Sequence, residues 1–321
     1  MAKVALLIGV SEYGQGLTNL PGTEADLQAM QQVLENPQVG AFDQVQVLPN
    51  PNRTQMAVAI DTLFTQDRKR DDLVLLYFSG HGVRDDDGSL YFAANNTQKN
   101  AQGRLSTPTA LDAATLHRFM TRSRSKRQVL ILDCCFSGAF AQDMTAKADE
   151  AVDVKDQLGG EGRAVLTSST ATQMSFEKEG ASVYTRYLTE GLRTGAADQD
   201  EDGQITIDEL HQYAKEKVQE AAPTMQPEIY AVKEGYRILI AQAAQGDPKR
   251  ALRKEAEARA KQKRGRFSPI DRRAFKARAK QLKLAAPEAD QIISEVLQPY
   301  DAFWEKVTEF EQAVKETLDY D

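Results

Sequence analysis

An α/β fold, with a mostly parallel sheet covered by helices on both faces and an all-helical appendage behind it, is what this sequence predicts. Three observations carry the prediction. Short apolar runs alternate with helical stretches through the first 242 residues, the order that right-handed crossovers between parallel strands produce. Those runs are continuously apolar rather than alternating, as strands covered on both faces are. Beyond residue 243 they stop, and charged helical periodicity takes over.

The elements follow in order. KVALLIGV opens the sheet; it is too short for a signal-peptide core and lacks a small-residue cleavage site, so it reads as a strand of a chain that stays in the cytoplasm. EADLQAMQQVLEN then reads as a helix, QVQVL as a strand, TQMAVAIDTLFTQ as a helix and DLVLLYFSG as a strand. DAATLHRFMTR, RQVLILDCC, RAVLTSS and VYTRYLTEGLRTG continue the alternation, and YRILIAQ is expected to close the sheet near residue 241. RDDDG at 84–88 reads as a solvated hairpin turn. Residues 141–163 are polar and carry no clear element, a length of loop that is often functional. Residues 243–265 read as a charged linker, helical in part, and 266–321 as a helical module with a Pro287 start signal, an interruption at Pro299, and Phe303, Trp304 and Phe310 as its core.

Composition narrows the function. The chain is 41% hydrophobic and 27% charged, an ordinary globular balance, and its longest apolar runs fall far short of the ~20 residues a membrane span needs. The formal charge of −7 hides an asymmetry, because Lys249 to Lys283 carries about +12 and the remainder is acidic. An acidic body attracts basic peptides. The basic stretch has no aromatic interleaving on which bases could stack, which argues against nucleic acid as the partner. Two adjacent cysteines make no disulfide framework and fit a reducing compartment.

Two apolar runs end in reactive residues at the edge where sites form in such sheets. DLVLLYFSGHG delivers His81, and QVLILDCC delivers Asp133, Cys134 and Cys135. A thiolate beside an imidazole makes an effective nucleophile at neutral pH. Gly80, Gly82 and Gly138 flank these residues and let backbone approach a substrate. Each residue taken alone has an ordinary structural explanation, a buried small thiol or a core histidine. The pair, each at a strand end and 54 residues apart in sequence, matches the His-to-Cys spacing of about 50 found in caspase-type peptidases.

YFSGHG and DCCFSG resemble the Y-S-G-H-G and D-x-C-x-S-G motifs of the caspase-like peptidases, in the metacaspase and prokaryotic orthocaspase branch. The resemblance extends through ALLIGVSEY, LPGTEAD and AVLTSSTATQMSFE, from about residue 3 to 241. It implies a cysteine endopeptidase with Cys135 as nucleophile, His81 as general acid and base, and the backbone N–H groups of Gly82 and Cys135 as oxyanion donors. Cys134 falls in the variable slot, and Phe136 stands where metacaspases often have His. The resemblance further implies that Asp26, Ser79 and Asp133 line a pocket for Arg or Lys. Two carboxylates near the nucleophile favour a cationic occupant over an anionic one. The alternative is a weakly catalytic scaffold or adaptor that signals through its helical tail to a protein partner.

DQDEDGQITIDE at 198–209 satisfies the acidic calcium-loop pattern, with Asp198, Asp200, Asp202 and Glu209 as side-chain ligands, Gln204 as carbonyl ligand and Gly203 at the tight turn. No cofactor is required for the chemistry, and Ca²⁺ is the one ion the sequence invites. Within the polar loop, Lys147, Lys155 and Arg163 are expected as self-processing sites of a basic-specific peptidase.

Overall fold

The computed structural model describes residues 1–134, 136–137, 154–168, 182–231, 233–243 and 248–318. Two compact units divide it: Met1–Arg193 with Ala197–Ala243, and Thr194–Ala196 with Ala244–Asp321.

The first unit runs β1 (Lys3–Gly9), α1 (Thr23–Glu35), β2 (Gln44–Pro49), α2 (Arg53–Thr65), β3 (Leu73–Ser79), β4 (Gly82–Arg84), β5 (Leu90–Ala93), β6 (Ala110–Asp112), α3 (Ala113–Arg122), β7 (Arg127–Asp133), β8 (Phe136–Ser137), α4 (Val154–Leu158), β9 (Arg163–Thr167), α5 (Val183–Thr194), β10 (Gln204–Thr206), α6 (Ile207–Ala221), β11 (Glu228–Ala231) and β12 (Leu239–Gln242). Its main sheet has the order β11-β9-β7-β3-β1-β2. All its pairs are parallel except β11 with β9. The α/β prediction is therefore met, with helices on both faces as the continuously apolar strands require.

One face packs Leu6, Ile8, Leu76, Phe78, Leu130 and Leu132 into a core with Met56, Ile60 and Phe64 of α2 and Leu116 and Met120 of α3. On the alternate strand positions Leu7, Leu75, Tyr77 and Ile131 are equally buried, with Leu27 and Met30 of α1 and Tyr184 and Leu188 of α5. The register sets Gly9 beside Ser79 and Ser79 beside Asp133, so three strands end level at one edge.

Two features depart from the sequence reading. The run YRILIAQ supplies β12, but β12 pairs antiparallel with β10 and leaves the sheet edge to β11; an apolar run of that length does not name its partner. A second, four-stranded sheet of order β6-β5-β4-β8 grows from the edge beyond β3 and β7. Its β4–β5 turn is the hairpin expected at 84–88, with Gly88 at φ +84° and Asp85 accepting the N–H groups of Asp87 and Ser89.

The second unit is built from α7 (Pro248–Lys263), α8 (Pro269–Gln281) and α9 (Ala286–Leu318). Here the expected linker at 243–265 is corrected. Leu252, Ala256 and Ala260 of α7 sit in one core with Phe275 of α8 and Ile292, Ile293 and Val296 of α9. The segment's small apolar residues were masked in the sequence by its charge. Pro299 does not interrupt α9, because neighbouring Val296, Leu297 and Tyr300 are packed on this core. Phe303 is half exposed rather than core, while Trp304 Nε1–H donates to the Arg264 carbonyl at 2.9 Å. Phe310's side chain lies outside the described residues. Among the described residues no helix is long and apolar enough to cross a membrane.

Candidate active site

His81 stands two residues beyond the end of β3, and four contacts fix it. Its backbone N–H donates to the Tyr13 hydroxyl at 2.8 Å, and its carbonyl accepts the Ala93 N–H at 2.9 Å. Its ring lies against the Tyr13 ring with centroids 4.7 Å apart. Its Nε2 lies 2.8 Å from the backbone carbonyl of Thr18. A carbonyl only accepts, so that contact places the ring hydrogen on Nε2 and leaves Nδ1 with its lone pair. Burial pushes the imidazole pKa down; the Thr18 carbonyl opposes this and the charge of Lys99 adds to it. The ring is thus neutral at pH 7 and able to take a proton.

Cys135 itself lies outside the described residues, but its neighbours on both sides are placed. Phe136, directly after it, pairs with Gly82, directly after His81, in the parallel pair of β8 with β4. Cys134, directly before it, is 1% exposed and belongs to the apolar core on the α2–α3 face. Gly82 is buried and pairs with Phe92 on its other side.

Asp26, Ser79 and Asp133 are brought together as the sequence reading expects. Ser79 donates from Oγ to Asp26 Oδ2 at 2.8 Å. Ser182, at the entrance to α5, joins the two carboxylates: its N–H donates to Asp26 Oδ1 at 2.7 Å, and its hydroxyl donates to Asp133 Oδ2. Thr185 Oγ1 also donates to Asp133 Oδ2 at 2.6 Å and lies 2.6 Å from the Tyr77 hydroxyl. Both aspartates are almost fully buried. Tyr77 feels both: its phenol is pushed well above the ordinary value by burial, then by Asp26 and Asp133. Tyr184 is raised by burial and by Asp133. The Tyr184 hydroxyl and Ser168 Oγ, both fully buried, have no hydrogen-bond partner among the described residues. Although Asp26 lies in the first turn of α1, these bonds go to a strand end and to α5, not only to its own helix.

The closeness of α1 to the strand ends has a sequence cause. A Cβ on Gly9 would fall 2.6 Å from Leu27 Cδ1, so the glycine lets the residue after Asp26 sit directly on β1.

Tyr13, Thr18, Tyr77, Ser182 and Thr185 were missed in the sequence. Thr18 acts through a backbone carbonyl, which no side-chain pattern encodes. Tyr77 and Thr185 are polar tips inside apolar stretches, and that mismatch was the available signal.

The acidic loop is a separate locus. Asp198, Asp200 and Asp202 each offer one oxygen within 4.8 Å of the others. Gly203 adopts φ +87°, as the tight turn needs, and its N–H donates to Asp198 Oδ2 at 3.0 Å. Gln204 lies in β10, whose partner strand is β12. Glu209 is not gathered with the three aspartates. It sits in the capping box of α6, with Oε2 accepting from Thr206 and Oε1 from the Gln199 N–H at 3.1 Å. Burial pushes its carboxyl up, but the bonds from Thr206, Gln199 and Asp200 outweigh this and hold it below its ordinary range.

Of the expected processing sites, Lys147 lies outside the described residues and Lys155 falls on α4. Arg163 is a correction: it is a buried residue of β9 whose guanidinium donates to the Gly159 carbonyl and to Thr121 Oγ1, so it is not an accessible cut site.

A search of curated proteins finds no match for this chain. The family model described as Caspase domain matches residues 2–239. That span takes in His81, both buried aspartates and every strand of the main sheet, and the chain belongs to the caspase-domain family, a family of cysteine peptidases.

Proposed function

We propose that this protein is an endopeptidase of the metacaspase and orthocaspase kind that cuts after Arg or Lys. The observation that carries the reading is the pair of buried carboxylates, Asp26 and Asp133, both bonded to Ser182 and two residues from His81 through Ser79. Negative charge concentrated at a strand-end site selects a cationic side chain, and a guanidinium or ammonium can replace hydroxyl donors with charge-assisted bonds. With Cys134 committed to the core, Cys135 is the thiol for catalysis. His81 Nδ1 takes the thiol proton, and the thiolate sulfur bonds to the scissile carbonyl carbon. The resulting oxyanion is held by the backbone N–H groups of Gly82 and Cys135. On collapse the C–N bond breaks and His81 returns the proton to the departing amine. Water, deprotonated by the same imidazole, then hydrolyses the thioester. Self-processing is part of the proposal, with Lys147 and Lys155 as its sites.

Calcium at 198–209 is proposed as an accessory ligand, held by Asp198, Asp200, Asp202 and the Gln204 carbonyl. The convergence of three carboxylate oxygens around a Gly203 turn fits a hard cation. Calorimetric titration of chelator-treated protein should show one calcium site that Asp200→Ala removes; no heat in wild type sinks it.

The test of the peptidase reading is hydrolysis of fluorogenic peptides ending in Arg, Lys or Asp by wild type and Cys135→Ala. Cleavage after Arg or Lys that Cys135→Ala abolishes is expected. Absence of all hydrolysis would leave a caspase-domain scaffold acting through its helical unit.

A further inference from the structure

We propose that Lys99 forms a recognition site for acidic residues on the leaving-group side of the scissile bond, so that the protein cuts basic–acidic junctions. This rests on the peptidase reading above and deepens it.

A groove of about 200 Å³ opens beside the catalytic edge, lined by Val83, Arg84, Lys99, Arg104, Leu105 and the aspartates of the β4–β5 turn. Ser79 belongs to the carboxylate pocket and Val83 to the groove, and His81 stands between them in sequence. The side chain before the scissile bond goes to Asp26 and Asp133. His81 protonates the departing amine, so the segment after that bond leaves past His81 toward the groove.

The charges of the lining are unequally engaged. Asp85 is folded onto its own turn, accepting the N–H groups of Asp87 and Ser89, and Asp86 pairs with Arg104 at 3.4 Å. Lys99 is different. Its backbone N–H donates to the Gln15 carbonyl, it bridges to Leu105, and its Cβ lies 2.8 Å from where a Gly16 Cβ would stand. The backbone and Cβ are therefore held. Its ammonium is half-buried, burial alone pushes its pKa down, and no carboxylate among the described residues pairs with it. Its charge reaches His81, whereas those of the turn aspartates do not figure there. The Lys99 charge is the one of the lining that reaches His81, and a partly desolvated ammonium on an anchored backbone is suited to a carboxylate.

The chain's own sequence carries the matching substrate pattern. Lys147 is followed by Ala148, Asp149 and Glu150, and Lys155 by Asp156. Both expected processing sites place a carboxylate within three residues after the basic one.

The experiment uses the full chain and internally quenched peptides with one Arg, followed by Asp-Glu, Ser-Ser or Lys-Lys, beside a coumarin amide that has no residues after the Arg. Wild type should prefer Asp-Glu over Ser-Ser by about five-fold in kcat/KM, carried in KM, as expected for one partly exposed charge pair. Lys99→Met should bring that ratio to about one, and Lys99→Glu should shift the preference to Lys-Lys. A Lys99 that acts only on His81 would move the pH profile of every peptide and leave the ratio intact, which overturns the proposal. Equal cleavage of all three by wild type also overturns it, while the peptidase reading stands. If the coumarin peptide itself is not cleaved, the peptidase reading fails and this proposal falls with it.

Discussion

His81 is oriented by a backbone carbonyl, not by a carboxylate, and this has a consequence in pH. A carboxylate partner would stabilise the imidazolium and raise its pKa. Here burial dominates and lowers it, with the Thr18 carbonyl giving only partial compensation and Lys99 pushing the same way as burial. The neutral ring therefore persists to lower pH than in a free histidine. The acid limb of kcat/KM for an Arg peptide should lie below about 6.5, and a limb above that value would show a partner that stabilises the cation. At the same scale, Asp133→Asn keeps the shape of the pocket and the bonds from Ser182 and Thr185 while removing one charge. Cleavage after Arg should fall by roughly 10- to 100-fold, mostly in KM, the range for losing one charged hydrogen bond. Peptide kinetics on purified variant decides it, and an unchanged KM would move the basic side chain elsewhere.

The elements explain why these residues meet. Parallel strands of similar length end level, so Gly9, Ser79 and Asp133 share an edge by register alone. The site was legible in the sequence to that extent: apolar runs announced the strands, and the residues at their ends announced the edge. Ser182 and Thr185 were not legible, because the contact with Asp133 spans about 50 residues and depends on how α5 lands on the sheet. The exchange of β12 for β11 at the sheet edge has the same origin. Pairing is a long-range choice that local apolarity does not encode. The approach of α1 is the element-scale step open to test. Gly9→Ala puts a methyl group within 2.6 Å of Leu27 Cδ1 and must lift α1 or rotate Leu27. Overpacking of this kind costs about 1–3 kcal/mol. The variant should unfold at lower urea and show a raised KM for Arg peptides, since Asp26 moves with α1. A stability loss with KM intact would mean Leu27 absorbs the methyl and α1 stays in place.

At the scale of the whole molecule, each unit has its own buried core: aliphatic and aromatic layers on the sheet in the first, and the contacts of α7, α8 and α9 in the second. Charge hid the second unit's beginning, because α7 keeps Lys249, Lys254, Arg259 and Lys261 exposed, buries Arg253 against Glu295, and contributes to the core through Leu252, Ala256 and Ala260. Two separate cores imply two cooperative transitions. The protein's single tryptophan, Trp304, belongs to the second unit and reports it selectively. Its indole donates to the Arg264 carbonyl, and Arg266 lies over its ring at 3.8 Å, so it is tied to the turn that leads into α8. Ser268 caps α8 there with a capping box, accepting the Asp271 N–H while Asp271 accepts from Ser268 and pairs with Lys263 and Arg259. Replacing the cap by Ser268→Ala should cost the helical unit about 1 kcal/mol. In urea the Trp304 fluorescence transition should move to lower midpoint, while the α/β unit's circular-dichroism transition and peptide hydrolysis stay where they are. A single transition, shifted as a whole by Ser268→Ala, would show that the helical unit and the peptidase fold unfold together, and that the tail is structural support for the site.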